Sequence, residues 1–100
     1  MNVIEEIAAE RNRQSEGNHW TTAHDDAHKN GQLAGAAACY TLQGLKISNM
    51  RLGGMVTDLV RDLWPWAQHY WRPETNRENL VRAAALIVAE IERLDRKHPT

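Results

Sequence analysis

The sequence predicts an all-α fold, a small bundle of three to four helices in one domain spanning residues 1–100. Three observations carry this. Apolar residues recur at helical spacing along most of the chain. No stretch alternates apolar and polar residues as a half-buried strand would. Helix start and stop signals bracket the periodic stretches.

The first helix is predicted over "NVIEEIAAERNRQ". Val3, Ile4, Ile7 and Ala8 lie on one stripe, and Asn2 can cap the first turn, with Glu5 answering it. Gly17 is the expected stop. The second helix is predicted to start at Thr22, with Asp25 as its first-turn acid, and to end near Gly44. Its later half is small and apolar: Ala34, Ala36, Ala37, Ala38 and Cys39. Gly31 and Gly35, four apart, predict a close approach of another helix.

Residues 45–56 read as a flexible connection, because Gly53 and Gly54 favour a turn. "VTDLVRDLW" follows as a short helix. Its predicted apolar face is Leu59, Val60, Leu63 and Trp64, and Pro65 ends it. The last helix begins at Thr75, which forms a capping box with Glu78. Leu80, Val81, Ala84, Ile87, Val88, Ile91 and Leu94 then recur at helical spacing as its expected core face. The C-terminal and Ala-rich helices are expected to form the central contact.

Composition excludes several classes. Cys39 is the single cysteine, so no internal disulfide is possible, which suits a reducing cytoplasm. Twelve basic and 13 acidic residues give a net charge of −1, which argues against direct nucleic-acid binding. No apolar run approaches the roughly 20 residues of a membrane span. The acidic opening "MNVIEEIAAE" gives no sign of export.

Four segments, "HDDAH", "GQLAGAAACY", "WPWAQHYWRP" and "LVRAAALIVAEIERLDR", occur in this order. Together they resemble a family of small phage- and prophage-encoded proteins with similar HDD, G-x-L-A-x-A-A-x-Y, Trp-Pro-Trp and L-V-x-A-x-A-L-I-x-A-E-I-E-R-L-D-R order. The resemblance covers residues 10–44 and 62–96. It implies origin in a mobile element and no particular reaction. Small proteins of that origin often bind a host component, and anti-CRISPR proteins are similar in size.

Within "HDDAH", His24 and His28 share a helix face and could supply part of a metal shell. The bland reading, a polar helix start, is favoured, so no metal or other cofactor is expected. Glu5, Glu6, Glu10, Asp25, Asp26, Glu90, Glu92 and Asp95 supply carboxylates for a metal-dependent all-α nucleotide pyrophosphohydrolase. Their null is a solvated face with helical ion pairs. No nucleophile–base pair or phosphate loop supports the enzyme, so the reading leans away from catalysis and names no catalytic residue. Cys39 lies in an apolar run and reads as a buried small hydrophobe.

The aromatic corner is the best binding candidate. Trp64, Trp66, Tyr70 and Trp71 exceed what one short helix can bury, and Arg72 and Arg77 lie beside them. The leading expectation is a non-enzymatic protein that occludes a host macromolecular complex, such as a CRISPR surveillance complex. Trp66, Tyr70, Trp71 and Arg72 would be its anchors, and Glu16, Asp25 and Asp26 its acidic contacts. The alternatives are the hydrolase and a small-ligand sponge that holds a nucleotide signal in the aromatic corner without turnover. Small size and leftover apolar surface are compatible with a homodimer.

Overall fold

The computed structural model describes residues 1–17 and 22–97. The fold is all-α, with five helices rather than three to four, and no strand occurs among the described residues. They are α1 (Val3–Gly17), α2 (Thr22–Ala27), α3 (Gln32–Ser48), α4 (Gly53–Leu63) and α5 (Asn76–Lys97). Short 3-10 turns occupy Met50–Leu52 and Gln68–Tyr70.

The extra helix comes from a break in the expected long second helix. α2 ends at Ala27, within "HDDAH", and Gly31, in a left-handed conformation with φ 79°, caps α3. Gly31 is therefore a hinge between helices and not half of a packing pair. Gly35 does approach a neighbour: a Cβ there would lie 3.8 Å from the Leu63 carbonyl oxygen. Gly44 does not end α3, which continues to Ser48. A Cβ at Gly44 would fall 2.1 Å from Asn76 Oδ1, so its smallness admits the start of α5. The expected flexible connection at 45–56 is instead the end of α3, a 3-10 turn and the start of α4.

Helix starts follow the sequence closely. Asn2 Oδ1 accepts from the Glu5 amide at 2.9 Å. Thr75 Oγ1 accepts from the Glu78 amide at 3.2 Å and donates to the Glu78 carboxylate at 3.0 Å. Buried Asn79 adds a second clamp, accepting from the Glu74 amide at 2.7 Å and donating to the Glu74 carbonyl at 3.2 Å.

The central contact is α3 against α5, as expected. Its substance is small side chains: Leu33, Ala36, Ala37 and Tyr40 meet Ala83, Leu86 and Ala89. Alanine faces let the two backbones approach closely, and dense packing then supplies the contact energy. A second cluster joins Cys39 to Val56 and Val60 of α4.

This packing departs from three predicted faces, although Val60 and Trp64 of the expected α4 face do pack inward. On α5, the buried positions are Asn79, Ala83, Ala85, Leu86, Ala89 and Arg93. The larger aliphatics Leu80, Ile87, Val88, Ile91 and Leu94 are exposed. On α4, Val56 and Val60 are buried while Leu59 and Leu63 are exposed. On α1, Val3 and Ile4 are exposed and Ile7 is half-buried. Close approach of α3 selects the alanine side of α5, which turns the bulkier side outward.

Candidate functional site

A pocket of about 690 Å³ opens where α1, α2, α3, the 64–74 segment and α5 meet. This volume is typical of a small-molecule site. Pro65 fixes the turn after α4, and Trp64 Nε1 donates to the Ala67 carbonyl at 3.1 Å, which holds the corner closed.

The aromatic wall is a continuous run of rings. Tyr40 lies 4.8 Å from Trp71 and 5.8 Å from Trp64, centroid to centroid. Trp64 meets Trp66 edge-on at 5.4 Å. Trp66 meets His28 edge-on at 5.5 Å, and His28 lies 4.4 Å from His24. Edge-on and tilted pairs of this kind lock ring orientations by their quadrupoles. The two histidines of "HDDAH" therefore extend the aromatic corner, a link that sequence separation concealed.

"HDDAH" itself is divided in role. His24 Nδ1 lies 3.1 Å from Asp25 Oδ1, and His28 Nδ1 lies 2.7 Å from the His24 carbonyl oxygen. Both histidines line the pocket. Asp25 does not line the pocket; it is fully buried and accepts from Arg11 at 2.8 Å. Among the described residues, no group of three or more His, Cys, Asp or Glu side chains could hold a metal ion.

The pocket rim is cationic. Arg13 pairs with Glu10, whose carboxylate raises the guanidinium pKa above its usual value. Arg82 pairs with Glu74 at 2.6 Å, donates to the Arg72 carbonyl, and lies over the Tyr40 ring at 5.9 Å. Arg72 is exposed at the mouth, where its Nε donates to the His69 carbonyl at 3.3 Å. Arg13, Arg72 and Arg82 thus line the pocket, with Glu10 paired to Arg13 and Glu74 paired to Arg82.

The expected partner-binding residues separate into three groups. Trp66, Tyr70 and Arg72 come together on the pocket, with Tyr70 55% exposed. Trp71 packs against both core clusters, so it is a half-buried structural residue and not a surface anchor. Two of the acidic contacts are held by arginines of the same chain. Asp25 is buried beneath Arg11, and Asp26 pairs with Arg96 at 2.8 Å. The side chain of Glu16 lies outside the described residues.

Among the described residues, six of the eight hydrolase carboxylates are likewise paired with arginines, Glu5 and Asp95 being the exceptions. Glu6 holds Arg77, Glu10 holds Arg13, Glu90 holds Arg93, and Glu92 shares Arg11 with Asp25. Cys39 is buried, and desolvation pushes its thiol pKa up, which disfavours a nucleophilic thiolate. Sequence reading missed Arg13, Gln14, Tyr40 and Arg82 as pocket residues. Each is distant in the chain from the aromatic corner, and no local motif marks it.

No family model matches the chain, and no match is found among curated proteins or solved structures. No helix among the described residues is long and apolar enough to cross a membrane.

Proposed function

We propose that this chain is a non-enzymatic binding protein of the phage or prophage type its motifs resemble. In this reading it captures a small anionic aromatic ligand of the nucleotide class. The observation that carries the reading is the pairing of the Trp64–Trp66–His28 wall with the arginine rim in one 690 Å³ pocket. A planar base stacks on indole and phenol rings, a contact worth about 1–3 kcal/mol per base. A phosphate suits guanidinium donors, and Arg72 at the mouth is exposed to receive it. The pairing of the carboxylates with arginine gives the hydrolase alternative no support.

The test is calorimetric titration with nucleoside mono-, di- and triphosphates, cyclic dinucleotides and the matching nucleosides. Tryptophan fluorescence gives an independent readout. A phosphorylated ligand should bind and be recovered intact. Arg72→Ala should weaken it about tenfold, the loss of one charge-assisted hydrogen bond, while leaving nucleoside binding unchanged. Trp66→Ala should weaken both. Binding of none of these ligands would sink the reading, and turnover with Mg²⁺ would restore the hydrolase.

A second reading, occlusion of a host complex such as a CRISPR surveillance complex, is favoured by the exposure of Tyr70 and Arg72 side by side at the mouth. It would use those two residues as anchors without the acidic contacts. Retention of a specific host complex on the wild type, lost in a Tyr70→Ala/Arg72→Ala variant, would support it over ligand capture.

A further inference from the structure

The outward face of α5 has a regularity that the fold of one chain does not use. Leu80, Ala84, Ile87, Ile91 and Leu94 follow one another at intervals of four, three, four and three. This is the spacing of a coiled-coil seam, two contact positions per seven residues. The four large members are 46%, 47%, 52% and 43% exposed. Val88, also exposed, and half-buried Val81 flank the seam on one side. Of the six buried positions of the same helix three are alanine, and Leu86 is the one large aliphatic among them. The larger side chains therefore lie on the side away from the chain's own core.

We propose that this seam pairs antiparallel with the α5 seam of a second copy of the chain. Heptad geometry makes the face self-complementary, as a twofold interface requires. One antiparallel register pairs the four inner seam positions with one another and sets the outer Leu94 beside the Arg77 end of the second copy. Leu80 faces Ile91 of the second copy, Ala84 faces Ile87, and Arg77 faces Leu94. The small Ala84 beside Ile87 lets large and small side chains interdigitate.

Charge selects the orientation. Arg77 stands at one end of the seam and Asp95 at the other. Antiparallel packing sets Arg77 beside Asp95 of the second copy, twice by symmetry. Parallel packing would set Arg77 against Arg77 and Asp95 against Asp95. Helix dipoles also oppose favourably when antiparallel. Glu6 of the same chain holds Arg77 through two contacts of 2.7 Å, which fixes the guanidinium at the end of the seam. The first turn of α1, with exposed Val3 and Ile4, lies on the same helix as that anchor and adds apolar surface there.

The test begins with sedimentation equilibrium of the full chain across micromolar concentrations. The expected result is a monomer–dimer equilibrium, and Ile87→Glu should shift it to monomer with helical circular dichroism retained. A chain that stays monomeric, or an Ile87→Glu variant that stays dimeric while folded, overturns the proposal. Orientation is read with variants that carry one cysteine at an exposed end in a Cys39→Ala background, since Cys39 is the chain's own thiol. Mixed Arg77→Cys and Asp95→Cys chains should form a mixed disulfide under mild oxidation. Efficient self-linking of Asp95→Cys alone would establish parallel packing and overturn the antiparallel register.

Discussion

Arg11 NH2 donates to Asp25 Oδ2 at 2.8 Å, and the Asp25 side chain is completely buried. The bond joins α1 to α2 across the segment that separates them. Arg11 Nε also donates to Glu92 at 3.1 Å, so one guanidinium ties α5 to the same point. Asp25 is thus a structural carboxylate of the bundle. Reversing its charge would set a second cation against Arg11 in a dry site and unfold the chain, whatever its effect on binding.

Asp25→Asn removes the negative charge and leaves the partly buried Arg11 without its best partner. A broken buried pair costs roughly 3 kcal/mol or more. Urea unfolding should show that loss as a lowered midpoint with unchanged slope. Asp26→Asn is the control, since its pair with Arg96 is largely solvent-exposed and is worth less than about 1 kcal/mol. Equal effects of the two variants would remove the distinction between them.

Gly31 and Gly35 should respond to alanine with opposite signs. At Gly31 the φ of 79° is open in space but strained for an L side chain, so Gly31→Ala should cost about 1–2 kcal/mol. Gly31→Asn should cost less, because asparagine tolerates that conformation. At Gly35 a Cβ meets the Leu63 carbonyl oxygen at an ordinary contact distance, so Gly35→Ala should stabilise by roughly 0.5–1 kcal/mol. Thermal melts of the three variants decide it. A stabilising Gly31→Ala would rule out the left-handed cap.

Acid should loosen the bundle through two surface pairs. A hydrogen bond from Arg77 lowers the Glu6 pKa, and side-chain hydrogen bonding with Glu78, then with Arg82, lowers that of Glu74. A carboxyl whose pKa is depressed by folding contributes stability fully above its unfolded value, about 4.3. That contribution is lost as the pH falls through the lower, folded value. Tm should therefore hold between pH 7 and about 5 and fall below that. Glu6→Gln with Glu74→Gln should lower Tm at neutral pH and make the acid fall shallower. A fall as steep as that of the wild type would show that other groups govern it.

Much of the fold was legible locally. Asn2, Thr75 and Glu78 act within a few residues of themselves, and their capping geometry follows from side-chain chemistry alone. The absence of alternation correctly predicted an all-α chain, and the alanine run correctly predicted the α3–α5 contact. What failed was the choice of face. Hydrophobic periodicity marks every apolar stripe, and α5 carries two, one of alanines and one of larger aliphatics. Periodicity ranks the larger stripe first.

The site divides the same way. Trp66, Tyr70 and Arg72 could be read from one short segment because Pro65 and Pro73 force it into a corner. Arg13, Tyr40 and Arg82 join them only through contacts between distant helices. By itself the sequence determined the all-α class, the caps of α1 and α5 and the aromatic segment, all set by interactions spanning a few residues. Tertiary structure alone decided that Asp25 faces Arg11, that the histidines join the tryptophan wall, and that the aliphatic side of α5 faces outward. Those outcomes depend on how closely two helices can approach, and that distance is fixed by the side chains of both.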